Sequence, residues 1–306
     1  MSQSLEYWLI MCHSGISHTK CHMLLQQFKY PKTIVSASKQ ALRQYNLSDA
    51  AIRHLKQPDT IKLNQALKWH EKPHHRIITR DDNDFPHQLL HYHYLPNVMF
   101  VRGNLAILNQ PSLTLVGSRQ PSYTGRKMAY EWSDQLSLNG FIIVSGLARG
   151  IDKCCHEGAL HHNGKTVAVI GSGLHHIYPR THTQLAELIL KNNGAIISEF
   201  PLYSAPYKWN FPMRNHTMSA LSLATLIVEA GIKSGSLITA YAALDQGKDV
   251  FAMPGTILNP TSKGCHKLIK EGAYLVDDYK DIIQHLSPPS SKLESRNNDL
   301  VKKTLY

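Results

Sequence analysis

The chain has 306 residues, 42% hydrophobic and 18% charged, and a formal net charge of +11 with its 19 histidines neutral; this describes a soluble globular chain with one large domain and smaller ones, and its basic balance suits a polyanionic partner or surface. The five cysteines, Cys12, Cys21, Cys154, Cys155 and Cys265, are odd in number and lack paired CxxC spacing, which argues for reduced intracellular thiols and against a disulfide frame or a zinc site. No signal-like amino terminus and no bilayer-length apolar run is present, so a cytoplasmic protein without a membrane partner is expected.

Residues 1–70 carry apolar positions at spacings of three and four with Pro and Gly between the segments, the pattern of a small all-helical domain. The turn Ser14-Gly15-Ile16-Ser17 reads either as a helix-hairpin-helix turn offering N–H groups to a phosphate or as a packing turn between two helices. Residues 71–110 form a connecting segment whose runs RIIT and VMFV suit strands packing on or extending a sheet. The acidic run DDNDF (81–85) suits helix caps and turns, and no second cluster of ligand types at fixed spacing supports a metal site.

From residue 111 to 282 the pattern becomes regular. LTLVG, FIIVS, TVAVI, AIISEF, ATLIVEA and DVFAMPG are β-branched apolar runs, most of them stopping at a glycine, and amphipathic segments separate them. They predict an α/β fold, an extended Rossmann-like parallel sheet of six or seven strands, with the run YLV as the last. Residues 283–306, polar and proline-bearing, read as a linker or tail with no room for a third packed domain.

In a parallel sheet the loops leaving the carboxyl ends of the strands gather on one edge, where ligands bind. Those loops are GSRQPSYTG, GLARG and GSGLHH, and they bring Arg119 and Arg149 beside small residues. Parallel connectivity places Arg214 on the same edge, so three arginines should line one phosphate-binding groove. Residues 201–215 add Tyr203, Tyr207, Trp209 and Phe211 around Lys208, rings that either stack bases or fold onto the sheet edge.

Known nucleotide fingerprints fit poorly. The first turn lacks GxGxxG, the second strand ends in Ser145 and Gly146 instead of an acid, and no GxxxxGK[ST] loop occurs, so no cofactor is expected. No nucleophile elbow or base-and-orienter pair stands out. Glu199 and Glu229 at strand ends read either as acid and base of a nucleotide or nucleoside-phosphate hydrolase or as acceptors for arginines and backbone N–H groups. Cys154 and Cys155, early in a helix after a lysine, have a position that can lower a thiol pKa, against which burial works.

Taken together, LTLVGSR…YTG, FIIVSGLARGID, TVAVIGSGL..IYP, IISEFP, FPMRN, SGSLITA and DVFAMPG resemble the DprA (DNA-processing protein A, or Smf) family over roughly residues 76–276. The resemblance implies a dimeric, non-catalytic protein that binds single-stranded DNA, protects incoming strands and helps load the RecA recombinase during natural transformation. The family's motif residues fall here on Gly117, Ser118 and Arg119 in the first loop, and on Ser145, Gly146, Arg149, Gly150, Asp152 and His156 around the second. They continue with Gly171 and Gly173 in the third, Arg214 and Asn215 after the aromatic loop, and Ser234, Gly235 and Thr239 after the fifth strand. Apart from Asp152 and His156, and with Lys208 added for its place among the rings, these are the expected DNA- and phosphate-binding residues. The alternative, a hydrolase of the lysine-decarboxylase-like fold, would carry PGGxGT, which this chain lacks after both Glu229 and Phe251. Two departures from the family pattern stand out: His216 replaces an arginine, and the winged-helix domain of many members has no counterpart before the chain stops.

Overall fold

The central β-branched runs are too short for stable helices and too apolar for a surface, so they become the inner strands of one sheet. The computed structural model describes residues 2–286, with side chains from Leu5 onward. Six helices come first: α1 (Ser2–His13), α2 (His18–Phe28), α3 (Pro31–Ser36), α4 (Lys39–Arg43), α5 (Asp49–Lys56) and α6 (Thr60–His70). Ser17, Ser38, Ser48 and Asp59 cap α2, α4, α5 and α6 by accepting backbone N–H groups of the first turn. Strands β1 (His75–Thr79) and β2 (Val98–Gly103) follow.

The alternating part runs β3 (Ser112–Val116), α7 (Tyr123–Leu138), β4 (Ile142–Ser145), α8 (Ile151–Leu160), β5 (Thr166–Val169), α9 (Thr183–Lys191) and β6 (Ala195–Ser198). It continues with α10 (Asn210–Leu221), β7 (Ala224–Ile227), α11 (Ser236–Asp245), β8 (Asp249–Ala252), α12 (Lys263–Lys270), β9 (Tyr274–Leu275) and α13 (Tyr279–Leu286). The nine strands lie in the order β1-β2-β6-β5-β4-β3-β7-β8-β9. Pairing is parallel from β6 across to β9, whereas β2 runs antiparallel to β6 and β1 antiparallel to β2. The expected extended Rossmann-like sheet preceded by helices is therefore present, and RIIT and VMFV extend it at the β6 edge.

Alternate strand residues face opposite layers. Ile143, Leu113, Leu115 and Leu226 pack with Trp132, Leu136 and Cys155 of α7 and α8 and with Ile282 of α13. Val144, Val167, Ile197 and Ile227 pack with Met218, Leu237, Ala240 and Leu268 on the other side. Helices α1–α6 join the sheet through a third cluster, in which Trp8, Leu24, Ile34, Ile52 and Trp69 meet Phe100, Ala168 and Ile196. Helices α7 and α8 approach so closely that a Cβ on Gly158 would stand 2.1 Å from the carbonyl oxygen of Tyr130.

Two boundaries differ from the sequence expectation. Helix α10 starts at Asn210, inside the segment read as an aromatic loop, because Pro212 falls in the first turn, where its missing N–H costs no helical bond. Helix α13 crosses the expected boundary at 282, since Tyr279, Ile282, Ile283 and Leu286 form an apolar stripe against the sheet layer. The remainder of the expected tail, 287–306, lies outside the described residues.

His156 of α8 is fully buried, its Nδ1 2.8 Å from Thr166 Oγ1, whose own hydroxyl donates to the Ile143 carbonyl. The network assigns the proton to Nδ1. Burial pushes its pKa down to about 3, and His13 likewise falls to about 4. Unfolding frees both to take up a proton below an ordinary value of about 6.5, so below that pH the unfolded chain binds more protons and stability falls. We expect urea-unfolding stability to be level from pH 8 to 7 and to decline from about pH 6.5 toward 4. The contribution of His156 is about 1.4 kcal/mol per pH unit. Urea titrations at stepped pH check this, and His156→Gln should flatten the decline.

Candidate nucleic-acid interface

The sheet order reverses beside β3: β4, β5 and β6 extend to one side, while β7 returns to the other. Loops leaving β3 and β7 therefore diverge, and a crevice opens between them at the carboxyl edge. A cleft of about 870 Å³ occupies that place, lined by Gly117, Ser118 and Arg119 after β3 and by Lys233, Ser234 and Gly235 after β7. Thr239 of α11, Lys208 just before α10, and Phe211, Arg214 and Asn215 in its first turns complete the walls. Arg119, Lys208 and Lys233 are exposed. The amino terminus of α11 opens onto the same space, adding the positive end of a helix dipole.

Arg214 does something different from the other cations. It is 4% exposed. Its Nη1 donates to the carbonyls of Gly146 and Val169, each at 2.5 Å, and its Nε donates to Asn215 Oδ1 at 3.1 Å. Asp152 Oδ2 lies alongside and accepts the N–H of Gly146 at 3.1 Å and of Ala148 at 3.4 Å. Burial pushes the Asp152 carboxyl up, opposed chiefly by the neighbouring guanidinium. Burial lowers Arg214 to about 10, with Asp152 opposing, so it remains charged at neutral pH. The groove arginine expected from sequence is thus mostly a fastener between α10 and the loops after β4 and β5, reaching the cleft only as part of its floor.

The glycines are likewise occupied from within. A Cβ on Gly146 would meet Arg214 Nη1 at 2.3 Å, and one on Gly171 would meet the Phe211 ring at 2.9 Å. Gly150 has φ of 78°, and a Cβ there would stand 2.3 Å from the Ser118 carbonyl. Gly117 packs on Ile151 and Gly173 on the Pro201 and Leu202 carbonyls, whereas Gly235 faces open space. Ser145 is buried, its hydroxyl donating to the Leu115 carbonyl at 2.7 Å. Ser145, Gly146, Arg149, Gly150, Gly171 and Gly173 do not line the cleft, although Arg149 is exposed on the neighbouring loop. His216, half-buried, turns its ring edge-on to Tyr94 and also lies off the wall.

Lys233 was not singled out from the sequence. Its signal was available, since AGIKSGS follows a strand and sets a cation among small residues, as GSR does for Arg119. The four aromatic residues divide. Phe211 sits in the cleft beneath Arg119 and Arg214, 5.7 and 6.0 Å from their guanidinium carbons. Tyr203 stacks on His175. Tyr207 and Trp209 stack on each other at 4.7 Å and remain 50% and 65% exposed on either side of Lys208.

The carboxylates considered for hydrolysis are separated and engaged. Glu199 accepts from Thr217 at 2.8 Å and meets His18 Nε2 at 3.0 Å, beside a hollow formed by α1, α2 and α10. Glu229 accepts the N–H and hydroxyl of Ser122 and the hydroxyl of Thr261, and it lines another hollow. Asp82 closes a turn on Thr79 and Asp81 holds the Trp8 indole, so these two carboxylates of the acidic run act in turns and packing. In the Ser14–Ser17 turn, Ile16 is buried and Gly15 exposed with φ of 75°. Burial raises the thiol pKa of both Cys154 and Cys155, overriding any lowering from their place early in α8.

Comparison with known proteins places this geometry. The model of the family described as DNA recombination-mediator protein A matches residues 76–287. Protein Smf of Escherichia coli (strain K12) is 46% identical over 224 residues, which is 73% of this chain and 60% of that protein. DNA processing protein DprA of Bacillus subtilis (strain 168) is 37% identical over 226 residues, 74% of this chain and 76% of that one. The X-ray structure of DprA from Streptococcus pneumoniae superposes with a TM-score of 0.80 at 32% identity, covering 92% of this chain and 98% of that one. The structure of DNA processing protein A from Helicobacter pylori, described for that protein's single-stranded DNA binding mode, gives 0.63 at 28% identity, covering 70% and 96%.

The two kinds of arginine should separate on mutation. Arg214→Ala leaves the Gly146 and Val169 carbonyls without their donor and the buried Asp152 without its neighbouring counter-charge, and we expect a loss of about 3–5 kcal/mol. Arg119→Ala removes an exposed cation over a ring and should cost no more than about 1 kcal/mol. Urea unfolding of the two variants measures this difference, and equal stabilities would contradict the fastening role.

Proposed function

The chain belongs to the DNA recombination-mediator protein A family, and from that premise we propose that its cleft holds the sugar-phosphate backbone of single-stranded DNA. One observation carries the reading: Arg119, Lys208 and Lys233 converge, exposed, on a cleft that the amino terminus of α11 also faces. The carboxylate on its wall, Asp152, is already engaged by backbone N–H groups and set beside Arg214. Ser118, Asn215, Ser234, Gly235 and Thr239 supply the polar lining between the cations. Gly117, Ser145, Gly146, Gly150, Gly171, Gly173 and Arg214 keep the loops in register, and Arg149 extends the positive rim. Contacts of this kind read the backbone and not the base, so binding tolerates sequence. The exposed Tyr207–Trp209 stack beside Lys208 gives bases a surface to lie on.

In this reading the protein is a recombination mediator that shields incoming strands and helps load RecA in the cytoplasm of a naturally transforming cell. Two copies acting together would raise the effective concentration at the second contact. Among the described residues no helix is long and apolar enough to cross a membrane.

Fluorescence anisotropy with labelled oligothymidine and a mixed-sequence strand, over a range of salt, tests the cleft. Replacing Arg119, Lys208 or Lys233 by Ala should weaken both strands alike and make the log–log salt slope shallower by roughly 0.7 per lost contact. Three folded variants with wild-type affinity and an unchanged slope would overturn the proposal.

A further inference from the structure

Helices α7 and α8 both start at the cleft edge of the sheet and run back to the opposite edge, where their last turns lie side by side. Their close approach at Gly158 and Tyr130 decides what meets there. Asp134 stands four residues, about one turn, beyond Tyr130, and His162 stands the same distance beyond Gly158. His162 Nδ1 is 2.8 Å from Asp134 Oδ1, and His161 Nδ1 is 3.5 Å from Asp134 Oδ2. The two imidazole rings are 4.2 Å apart between centroids, with planes inclined at 63°. One candidate ligand atom from each residue lies within 4.8 Å of the other two, and among the described residues no other such group of three occurs.

We propose that Asp134, His161 and His162 form a binding site for a borderline divalent transition cation of the zinc class, set apart from the DNA cleft. The donor set is two imidazole nitrogens and one carboxylate oxygen, which suits zinc and its neighbours and not magnesium or calcium, whose preferred shells are all oxygen. Spacing allows it: donors about 2.05 Å from a tetrahedral ion stand about 3.3 Å apart, each imidazole nitrogen lies within 3.5 Å of one or other Asp134 oxygen, and an ion would replace the His162–Asp134 hydrogen bond. Asp134 is held, with a side chain only 10% exposed, while the histidines are about half exposed, at 50% and 52%. The carboxylate is therefore a fixed anchor, the rings can adjust to an ion, and water completes the shell from the open side. An ion bound there ties the end of α7 to the end of α8 and stabilises the native chain by an amount that grows with the logarithm of free ion above its dissociation constant.

The test uses the full untagged chain and zinc chloride alone in a non-coordinating buffer. Equilibrium dialysis should give one more bound zinc for the wild type than for H161A/H162A, whose changes fall at exposed positions and whose fold circular dichroism verifies. Zinc should raise the melting temperature of the wild type more than that of the double variant, and a hundredfold excess of magnesium should displace none of the extra ion. With copper(II) as probe, the electron paramagnetic resonance spectrum should show coupling to two imidazole nitrogens, reduced to one in each of H161A and H162A. Equal zinc stoichiometry in wild type and double variant, no bound zinc in the wild type, or ready displacement by magnesium would overturn the proposal.

Discussion

A charged guanidinium buried beneath the loops is the constraint on which the ligand-facing edge depends. Taking Arg214 out of water is costly unless its donors are satisfied and its charge balanced. The chain answers with groups from four places: the Gly146 carbonyl after β4, the Val169 carbonyl at the end of β5, Asn215 on the same helix, and the Asp152 carboxylate at the start of α8. Each partner belongs to a different element, so the loops after β4 and β5 and the first turns of α10 cannot move independently. The cleft inherits its shape from that lock.

The small residues of the edge serve the same end. Gly146 makes room for the guanidinium, Gly171 for the Phe211 ring, and Gly150 for the Ser118 carbonyl. Phe211 in turn lies under both Arg119 and Arg214, which links the buried cation to an exposed one through a single ring. The glycine loops are thus an inner scaffold, and the longer side chains standing on it are the ones left facing the cleft. In the proposed reading a polyanion would meet Arg119, Lys208 and Lys233, while the guanidinium that organises them stays in the cleft floor.

Much of the fold could be read directly. Short β-branched runs ending at turns specify the parallel strands, and the three-and-four spacing of residues 1–70 specifies helices there without dividing them into the six observed. The order of the strands was not legible, because it depends on which edge each crossover returns to and not on any local pattern. Helix α13 was hidden by its position next to a proline-bearing segment, although Tyr279, Ile282, Ile283 and Leu286 have the spacing of a buried stripe. At the cleft, sequence reasoning identified Arg119 and Lys208 because cations beside small or aromatic residues stand out. It treated Arg214 as their equal, since burial is a property of the packed helix and not of the motif. It passed over Lys233, whose surroundings carry the same signal as those of Arg119, and over His161 and His162, whose meaning depends on Asp134 arriving from another helix.

In the proposed reading an inner, buried cation shapes the cleft while outer cations hold the strand. A structure of the chain with a short oligothymidine tests it most directly. Phosphates are expected against Arg119, Lys208 and Lys233, with the Arg214 guanidinium still bonded to the Gly146 and Val169 carbonyls. A strand bound elsewhere on the surface, or an Arg214 withdrawn from those carbonyls to grip a phosphate, would contradict it.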